Sequence, residues 1–460
     1  MKSNNNKVLI HFIGIGGIGM SGIAELMFDL GYSVQGSDIG INENIIRLKN
    51  KGIKIYNKHN RKNIKKISVA VFSSAIKKNN SEIVACNRLS IPVVCRADML
   101  AELMKSKKSI AVAGSHGKTT TTSLIGNILD TASFDPTIIN GGIINSYSKN
   151  NKFGKGEWLI AEADESDGSF LKLPHQISII TNIDIEHLDY YLNKENLIKS
   201  FDSFVLNLPF YGYSIICIDN KYLKNIKSRI RTRNIITYSL KDKKSDVFIK
   251  ILRNDNKYTS FKIFLNKKIK TFKGEYNFKI KLLGDHNILN CAASIIASLL
   301  TGVKISLVKK SLLNYQGVKR RFTFIGYKHK AQIIDDYAHH PTEIEATFKT
   351  AKKISNNIVV VFQPHRYSRT NFLMNDFVKI LSKISKLYLL KTYPAGEKSI
   401  KKATSKNLYL KILKKNKKIV YVEDEKKLSI YLNKHINKKA LIIFMGAGSI
   451  SKIAYNYYKK

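Results

Sequence analysis

The chain has 460 residues, 44% of them apolar, which exceeds one compact core and implies two to four domains. Its 78 Lys and Arg against 34 Asp and Glu give a formal net charge of +44, but the lysines are spread through KHNRKNIKK, IKSRIRTR, NKKIKTFK and KILKKNKK without aromatic interleaving, so no nucleic-acid module is recognisable and solvated lysine faces account for the charge. No apolar run approaches the roughly 18 residues that cross a bilayer, and Cys86, Cys95, Cys217 and Cys291 form no CxxC pair, which argues against a zinc site or a disulfide framework and points to a reducing cytoplasm.

The start, MKSNNNKVLIHFIGIGGIGM, sets a basic residue before an apolar stretch as a signal peptide does, but its glycines are spaced like a turn and no small-residue cleavage site follows. It reads as a strand and a turn. The first hundred residues then alternate apolar runs (YSVQGSD, IKIY, VAVFSSA, IPVVCR) with helical stretches (IGMSGIAELMFDLG, IIRLKNKG, EIVACNRLS), the rhythm of βα units on a parallel sheet. The first turn carries GxGxxG as Gly14, Gly16 and Gly19, with Asp38 after the second strand, a spacing that lets a backbone approach a pyrophosphate at a helix N-terminus. By itself it is also compatible with a tight turn that binds nothing.

A second α/β segment opens with SIAVAGSHGKTTTT. Gly117, Lys118 and Thr119 fit the end of a phosphate-binding loop, while Val112 stands where the usual pattern has its first glycine, so Gly114 and Gly117 bracket a compact variant. Lys118 would contact outer phosphates and the Thr119 hydroxyl would ligate magnesium. Thr120 to Thr122 fall in the first helical turns, where hydroxyls can satisfy orphan N–H groups or phosphate oxygens. Carboxylates for a magnesium site follow strand-like runs: Glu162, Asp164, Glu165 and Asp167 in AEADESD, then Asp184, Glu186, His187 and Asp189 in TNIDIEHLDYY. Charged alternation from about Asp246 to Lys281 reads as hairpins, GDHNILNCAASIIASLLTG as a buried helix, and AQIIDDY, NIVVVFQ, KLYLLKTY, KIVYVE and ALIIFMGAG as strands of a third α/β segment from about Arg320.

Taken together, HFIGIGGIGMSGIA, GSHGKTTT, AEADESD, TNIDIEHLD, HNILN, RRF, DDYAHHPTE, QPHRYSRT, YPAGE and MGAGSI, in this order over nearly the whole chain, resemble the Mur ligases of bacterial cell-wall synthesis. The resemblance implies an α/β protein of three domains: a Rossmann-like UDP-sugar domain (1–107), a central P-loop ATPase-type domain (108–319) and a C-terminal Rossmann-like α/β domain (320–460) that closes over ATP and brings the amino acid. It implies ATP as co-substrate with Mg2+ or Mn2+, and UDP-N-acetylmuramate and L-alanine as the molecules joined through an acyl phosphate. Gly14, Gly16, Gly17, Ile18, Gly19, Ser37, Asp38, Ser73 and Ser74 would then cradle the UDP-sugar. Gly114, Ser115, His116, Gly117, Lys118, Thr119, Thr120, Asn287, Arg321 and Asp336 would bind ATP, with Asp336 suited to ribose hydroxyls. Thr119, Glu162 and His187 would hold or orient the metal; Lys118, Glu162, His187 and Arg321 would be catalytic; and His339, His365, Arg366 and Arg369 would receive the amino acid.

Other readings stay open at this point. DDYAHH offers Asp335, Asp336, His339 and His340 as a metal cluster, and Asn287 as a helix cap. A ligase that adds a preformed tripeptide to the same sugar acid, a nucleotide-dependent nucleic-acid-binding protein and a scaffold without turnover are the functional alternatives.

Overall fold

Each of the three βα rhythms closes into its own sheet in the computed structural model, which describes residues 8–73, 75–147, 149–255 and 258–459. The first sheet joins Leu9–Ile13 (β1), Ser33–Ser37 (β2), Lys54–Tyr56 (β3), Val69–Phe72 (β4) and Val93–Cys95 (β5) in the order β3-β2-β1-β4-β5, all parallel. The central β1 is flanked on both sides, and Ile10, Phe12 and Ile13 are buried, the near-continuous apolar run that a strand covered on both faces requires.

The second sheet has ten strands: Lys108–Ala113 (β6), Thr137–Ile144 (β7), Lys149–Lys152 (β8), Trp158–Glu162 (β9), Ile177–Ile180 (β10), Tyr213–Cys217 (β11), Asn234–Ser239 (β12), Val247–Asn254 (β13), Thr259–Ile269 (β14) and Phe272–Ile280 (β15), ordered β15-β14-β13-β12-β11-β10-β6-β9-β7-β8. Strands β9, β6, β10, β11 and β12 run parallel, and β14 and β15 form the antiparallel hairpin that the charged alternation announced. The third sheet contains Thr323–Lys328 (β16), Ala331–Asp336 (β17), Ile358–Phe362 (β18), Leu387–Leu390 (β19), Val420–Val422 (β20) and Leu441–Met445 (β21), ordered β16-β17-β21-β18-β19-β20. Its two middle strands, β21 (LIIFM) and β18 (IVVVF), are buried at every residue.

The chain divides into two units, one formed by the residues up to Arg253 with Thr259–Lys281 and Asn287–Gly317, the other by Asn254–Tyr258, Leu282–His286 and Val318 onward. The first two sheets therefore share a unit. Within it, the helix Lys118–Thr131 is held along its length: Ser294 donates to Thr121 O at 3.3 Å, Tyr315 Oη to Ser123 Oγ at 2.9 Å and Asn127 Nδ2 to Ser311 Oγ at 2.6 Å. All four cysteines are free thiols, and among the described residues no helix is long and apolar enough to cross a membrane.

A buried polar cluster backs the first glycine turn. Glu82 is fully buried and accepts from Ser37 Oγ at 2.6 Å, Asn63 Nδ2 at 2.7 Å and Asn60 N at 3.3 Å, while His59 Nδ1 lies 3.1 Å and His11 Nε2 3.5 Å from its oxygens. Burial pushes such a carboxyl up, but the bonds from His11 and Ser37 outweigh it and bring Glu82 down to about 2. A carboxyl with a depressed folded-state pKa contributes stability above its ordinary value and loses that contribution as pH falls. Between pH 4.5 and 2 the wild-type protein is expected to lose about 3 kcal/mol that Glu82→Gln does not lose; parallel stability curves for the two proteins over that window contradict the assignment.

Candidate active site

The loop 114–117 leaves the carboxyl end of β6, between the ends of its parallel neighbours β9 and β10, where Val112 pairs with Glu162 and Ala113 with Ile180. Gly114 (φ +125°) and Gly117 (φ +86°) adopt backbone conformations that side chains rarely take. A Cβ on Gly114 would stand 2.2 Å from Thr181 Oγ1 and 2.9 Å from the Asn182 carbonyl; one on Gly117 would meet Asn290 Oδ1 at 2.5 Å. The residues after β10 clasp the loop: Ser115 N donates to Asn182 O (3.1 Å) and His116 N to Asn182 Oδ1 (2.9 Å), while Thr181 Oγ1 (2.6 Å) and Asn182 Nδ2 (2.9 Å) donate to His116 O. The missing first glycine is thus irrelevant, since Val112 lies in the strand and is fully buried.

Lys118 opens the helix and turns its Nζ back onto the loop, donating to Gly114 O at 2.6 Å and to the Glu165 oxygens at 2.8 and 3.0 Å. Burial would pull this ammonium down, but the carboxylates of Glu165, Asp164 and Glu162 hold it above the usual lysine range. Thr119 Oγ1 donates to Glu162 Oε1 at 3.1 Å, and Gly141 N fixes the other oxygen at 2.7 Å. Two hard oxygen donors therefore converge at the helix start, a donor set that suits magnesium. His187 (φ +57°) lies in the turn after β10 with Nε2 3.6 Å from Glu186, and His116 Nε2 reaches Asp184 at 3.2 Å. Thr121 and Thr122 correct the sequence expectation: both are fully buried and their hydroxyls find no hydrogen-bond partner among the described residues, so they fill the helix's packed face rather than serving orphan amides or phosphates.

At the first sheet, Gly14, Asp38 and Ser73 follow the carboxyl ends of adjacent strands β1, β2 and β4. Gly14 N (2.8 Å) and Ile15 N (3.1 Å) bond to Ser37 O, Gly16 N donates to Asp38 Oδ2 at 2.8 Å, and Gly17 caps the helix Ile18–Asp29. The Ser37 hydroxyl points away, into the Glu82 cluster, so Ser37 shapes the turn from behind. The Arg96 guanidinium lies over Gly19, 3.1 Å from where a Cβ would sit. Ser74 and the Ile18 side chain lie outside the described residues.

In the second unit, candidates again gather after strand ends. Asp336 ends β17, where burial pushes its carboxyl up to about 6 even though Phe322 N (2.7 Å) and Ala338 N (2.8 Å) donate to it. Arg320 (φ +63°) and Phe322 (φ +48°) make a strained turn that these bonds hold, with Arg321 Nη1 3.5 Å from Glu343 and its guanidinium over the Tyr337 ring. His339 Nδ1 lies 2.9 Å from Tyr337 O, and its ring meets His365 edge-on at 6.0 Å. His365 stacks on Tyr393 at 5.5 Å and is held down to about 4 by burial and by electrostatic repulsion from His339, Arg369 and Arg366, so it is neutral at pH 7 and can accept from Arg369 Nη1 at 3.3 Å. Arg366 is committed to Glu397 at 2.7 Å. His340 caps the helix Pro341–Ile354 through Thr342 N. Asn287 belongs to the first unit, on the helix Asp285–Thr301, 3.4 Å from Asn290.

The comparisons with known proteins decide the family. Mur ligase family descriptions match three successive stretches: the catalytic domain at residues 9–108, the middle domain at 112–298 and the glutamate ligase domain at 320–448. The chain belongs to the Mur ligase family. This Mur ligase is 46% identical over 462 residues to the UDP-N-acetylmuramate–L-alanine ligase of Rickettsia typhi, covering 98% of the chain and 92% of that relative, and equally identical to the one of Rickettsia prowazekii, with 98% and 93% covered. Its three-domain α/β fold is similar to the crystal structure of the UDP-N-acetylmuramate-alanine ligase of Thermotoga maritima, with a TM-score of 0.82, 27% identity and 98% of both chains covered. A murein peptide ligase from Psychrobacter arcticus, at 21% identity and TM-score 0.74, with 98% of both chains covered, shares the fold.

Sequence reading of this Mur ligase overlooked Thr181, Asn182 and Asn290. The first two stand directly after the apolar run ISII, where open α/β sheets place ligand-facing residues, and Asn290 is one helical turn from Asn287. Gly114→Ala is expected to cost about 1–3 kcal/mol of stability and to weaken ADP binding by about tenfold or more; wild-type ADP affinity in a folded variant contradicts the loop geometry.

Proposed function

We propose that this chain joins the amino group of L-alanine to the lactyl carboxylate of UDP-N-acetylmuramate, converting ATP to ADP and phosphate, in the cytoplasm. The observation that carries the reading is the glycine-bracketed Lys118 loop beside the Thr119–Glu162 pair, in a chain whose relatives at 46% identity bear the name of that L-alanine ligase.

The lactyl carboxylate oxygen attacks the γ-phosphorus as the bond to ADP breaks, giving an acyl phosphate. The alanine amine then attacks the acyl carbon and loses a proton, and phosphate departs with the former carboxylate oxygen as the amide forms. No side-chain nucleophile is required, so the chain supplies positioning and charge neutralisation. Residues 117–119 at the helix start present backbone amides, with the Lys118 ammonium, to the outer phosphates. Thr119 and Glu162 would hold Mg2+, with His187 orienting it, and the ion when bound would neutralise phosphate charge. Gly14 to Gly19, Asp38 and Ser73 take the UDP-sugar, with Ser37 setting their turn. Asn287 and Arg321 contact the nucleotide. Asp336 is 5% exposed with both oxygens engaged, and we assign it to fixing the Arg321 turn rather than to ribose hydroxyls. Arg369, steadied by neutral His365, grips the alanine carboxylate.

The test is phosphate release with UDP-N-acetylmuramate and ATP–magnesium, offering L-alanine, a tripeptide or no amino acid. Release that needs both the sugar acid and L-alanine, with the ligated product found by mass, is expected; tripeptide preference or release without an acceptor overturns the reading. Lys118→Ala is expected to stay folded and lose phosphoryl transfer. Arg369→Ala is expected to raise the KM for L-alanine by about 30-fold or more, the effect of losing a charge-assisted bond, with little change for ATP; equal losses for both substrates contradict its placement.

A further inference from the structure

The loop lysine is fully occupied as it stands. An ammonium has three N–H donors, and Lys118 Nζ spends them on Gly114 O at 2.6 Å, Ser115 O at 3.3 Å and the two Glu165 oxygens at 2.8 and 3.0 Å. Glu165 is not a flexible surface acid: it is 3% exposed, and its backbone carbonyl accepts from Tyr191 Oη and from Gly168 N at 3.1 Å, which pins the segment after β9. Among the described residues Lys118 is the only side chain that hydrogen-bonds its carboxylate.

We infer that Glu165 is a positioning residue that holds Lys118 back from the phosphate site, so that a bound nucleotide must draw the ammonium away from Glu165 or share it. The inference rests on the reading of the 114–119 loop as the phosphate site and adds a competitor to it. Two anions, a buried carboxylate and a phosphate, contend for one ammonium, and each weakens the other's hold. The arrangement also explains why an acidic segment lies so close to a phosphate loop: Glu165 neutralises a buried lysine whose ammonium would be costly to keep out of water unpaired. Removing the lysine leaves Glu165 without its partner, and a buried carboxyl without a partner stays protonated, so the competition exists only while Lys118 is present.

Glu165→Gln keeps the side chain's shape and one acceptor but removes the charge. With ADP as the probe, in EDTA and without sugar or amino acid, this variant is expected to bind about tenfold tighter than wild type, with melting temperatures confirming that both are folded. In a Lys118→Ala background the same substitution is expected to change ADP affinity by less than about twofold. Glu165→Asp, whose shorter side chain draws back from Nζ, serves if the glutamine variant fails to fold, and is expected to tighten ADP binding by a smaller factor. Unchanged or weaker ADP binding in the folded variants overturns the inference, as does an equal gain in both backgrounds, which would mark a general charge effect. If Lys118→Ala binds ADP as tightly as wild type, the phosphate-loop reading itself falls; if Lys118→Ala weakens binding while the Glu165 variants gain nothing, only the competition falls.

Discussion

The central constraint is the left-handed backbone at Gly114 and Gly117, packed against the residues that follow β10. A strand must end, turn within four residues and start a helix whose first amides face outward, and no side chain fits at either glycine. Thr181, Asn182 and Asn290 occupy the space that Cβ atoms would need, and Thr181 and Asn182 hold the turn through its own carbonyl and amide groups. The parallel sheet supplies the rest, because pairing of β6 with β9 and β10 brings Glu162 and Thr181 to the same edge as the loop.

The same device recurs in each sheet. Gly14, Asp38 and Ser73 follow adjacent strand ends in the first, and Tyr337, Gln363 and Gly446 follow β17, β18 and β21 in the third. In open α/β sheets the carboxyl ends of strands open a crevice in which ligands bind. Behind each candidate region stands a polar group that fixes the loop: the Glu82 cluster behind the Gly14 turn, Asn182 behind the 114–117 loop, and Asp336 behind the strained Arg320–Phe322 turn. Loops that must present backbone amides cannot be held by apolar packing alone, so the chain places buried polar side chains where the amides and carbonyls of the turn need partners.

Much of this was legible in the sequence because parallel, doubly covered strands are written as short apolar runs. IHFI, IAVA, IIFM and IVVVF could be read directly, and the glycines and the GKT triplet marked the turns after them. Four strands escaped: β8 (KNNK) carries no apolar signal, β7 (TIINGGII) is broken by a glycine pair and an irregular register, β12 (NIITYS) is short and follows a basic run, and β16 is an edge strand paired with only one neighbour. The roles of individual side chains were harder. The four threonines after Lys118 looked alike in sequence, yet Thr119 faces Glu162 while Thr121 and Thr122 are fully buried, a difference set by helical phase against Ser294 and Tyr315 far along the chain. Ser37 and Asp336 likewise stand at strand ends as ligand-binding residues do, and the sequence carries no sign that both are buried with their side-chain oxygens bonded within the protein.

In the proposed reaction the carboxylate of the sugar acid is itself the nucleophile, and the chain works by positioning charge around it. Oxygen tracing reads this directly: UDP-N-acetylmuramate labelled with heavy oxygen in its lactyl carboxylate is turned over with ATP and L-alanine, and the released phosphate is weighed. One labelled oxygen in each phosphate is the result expected from an acyl phosphate. Unlabelled phosphate alongside ligated product would contradict it.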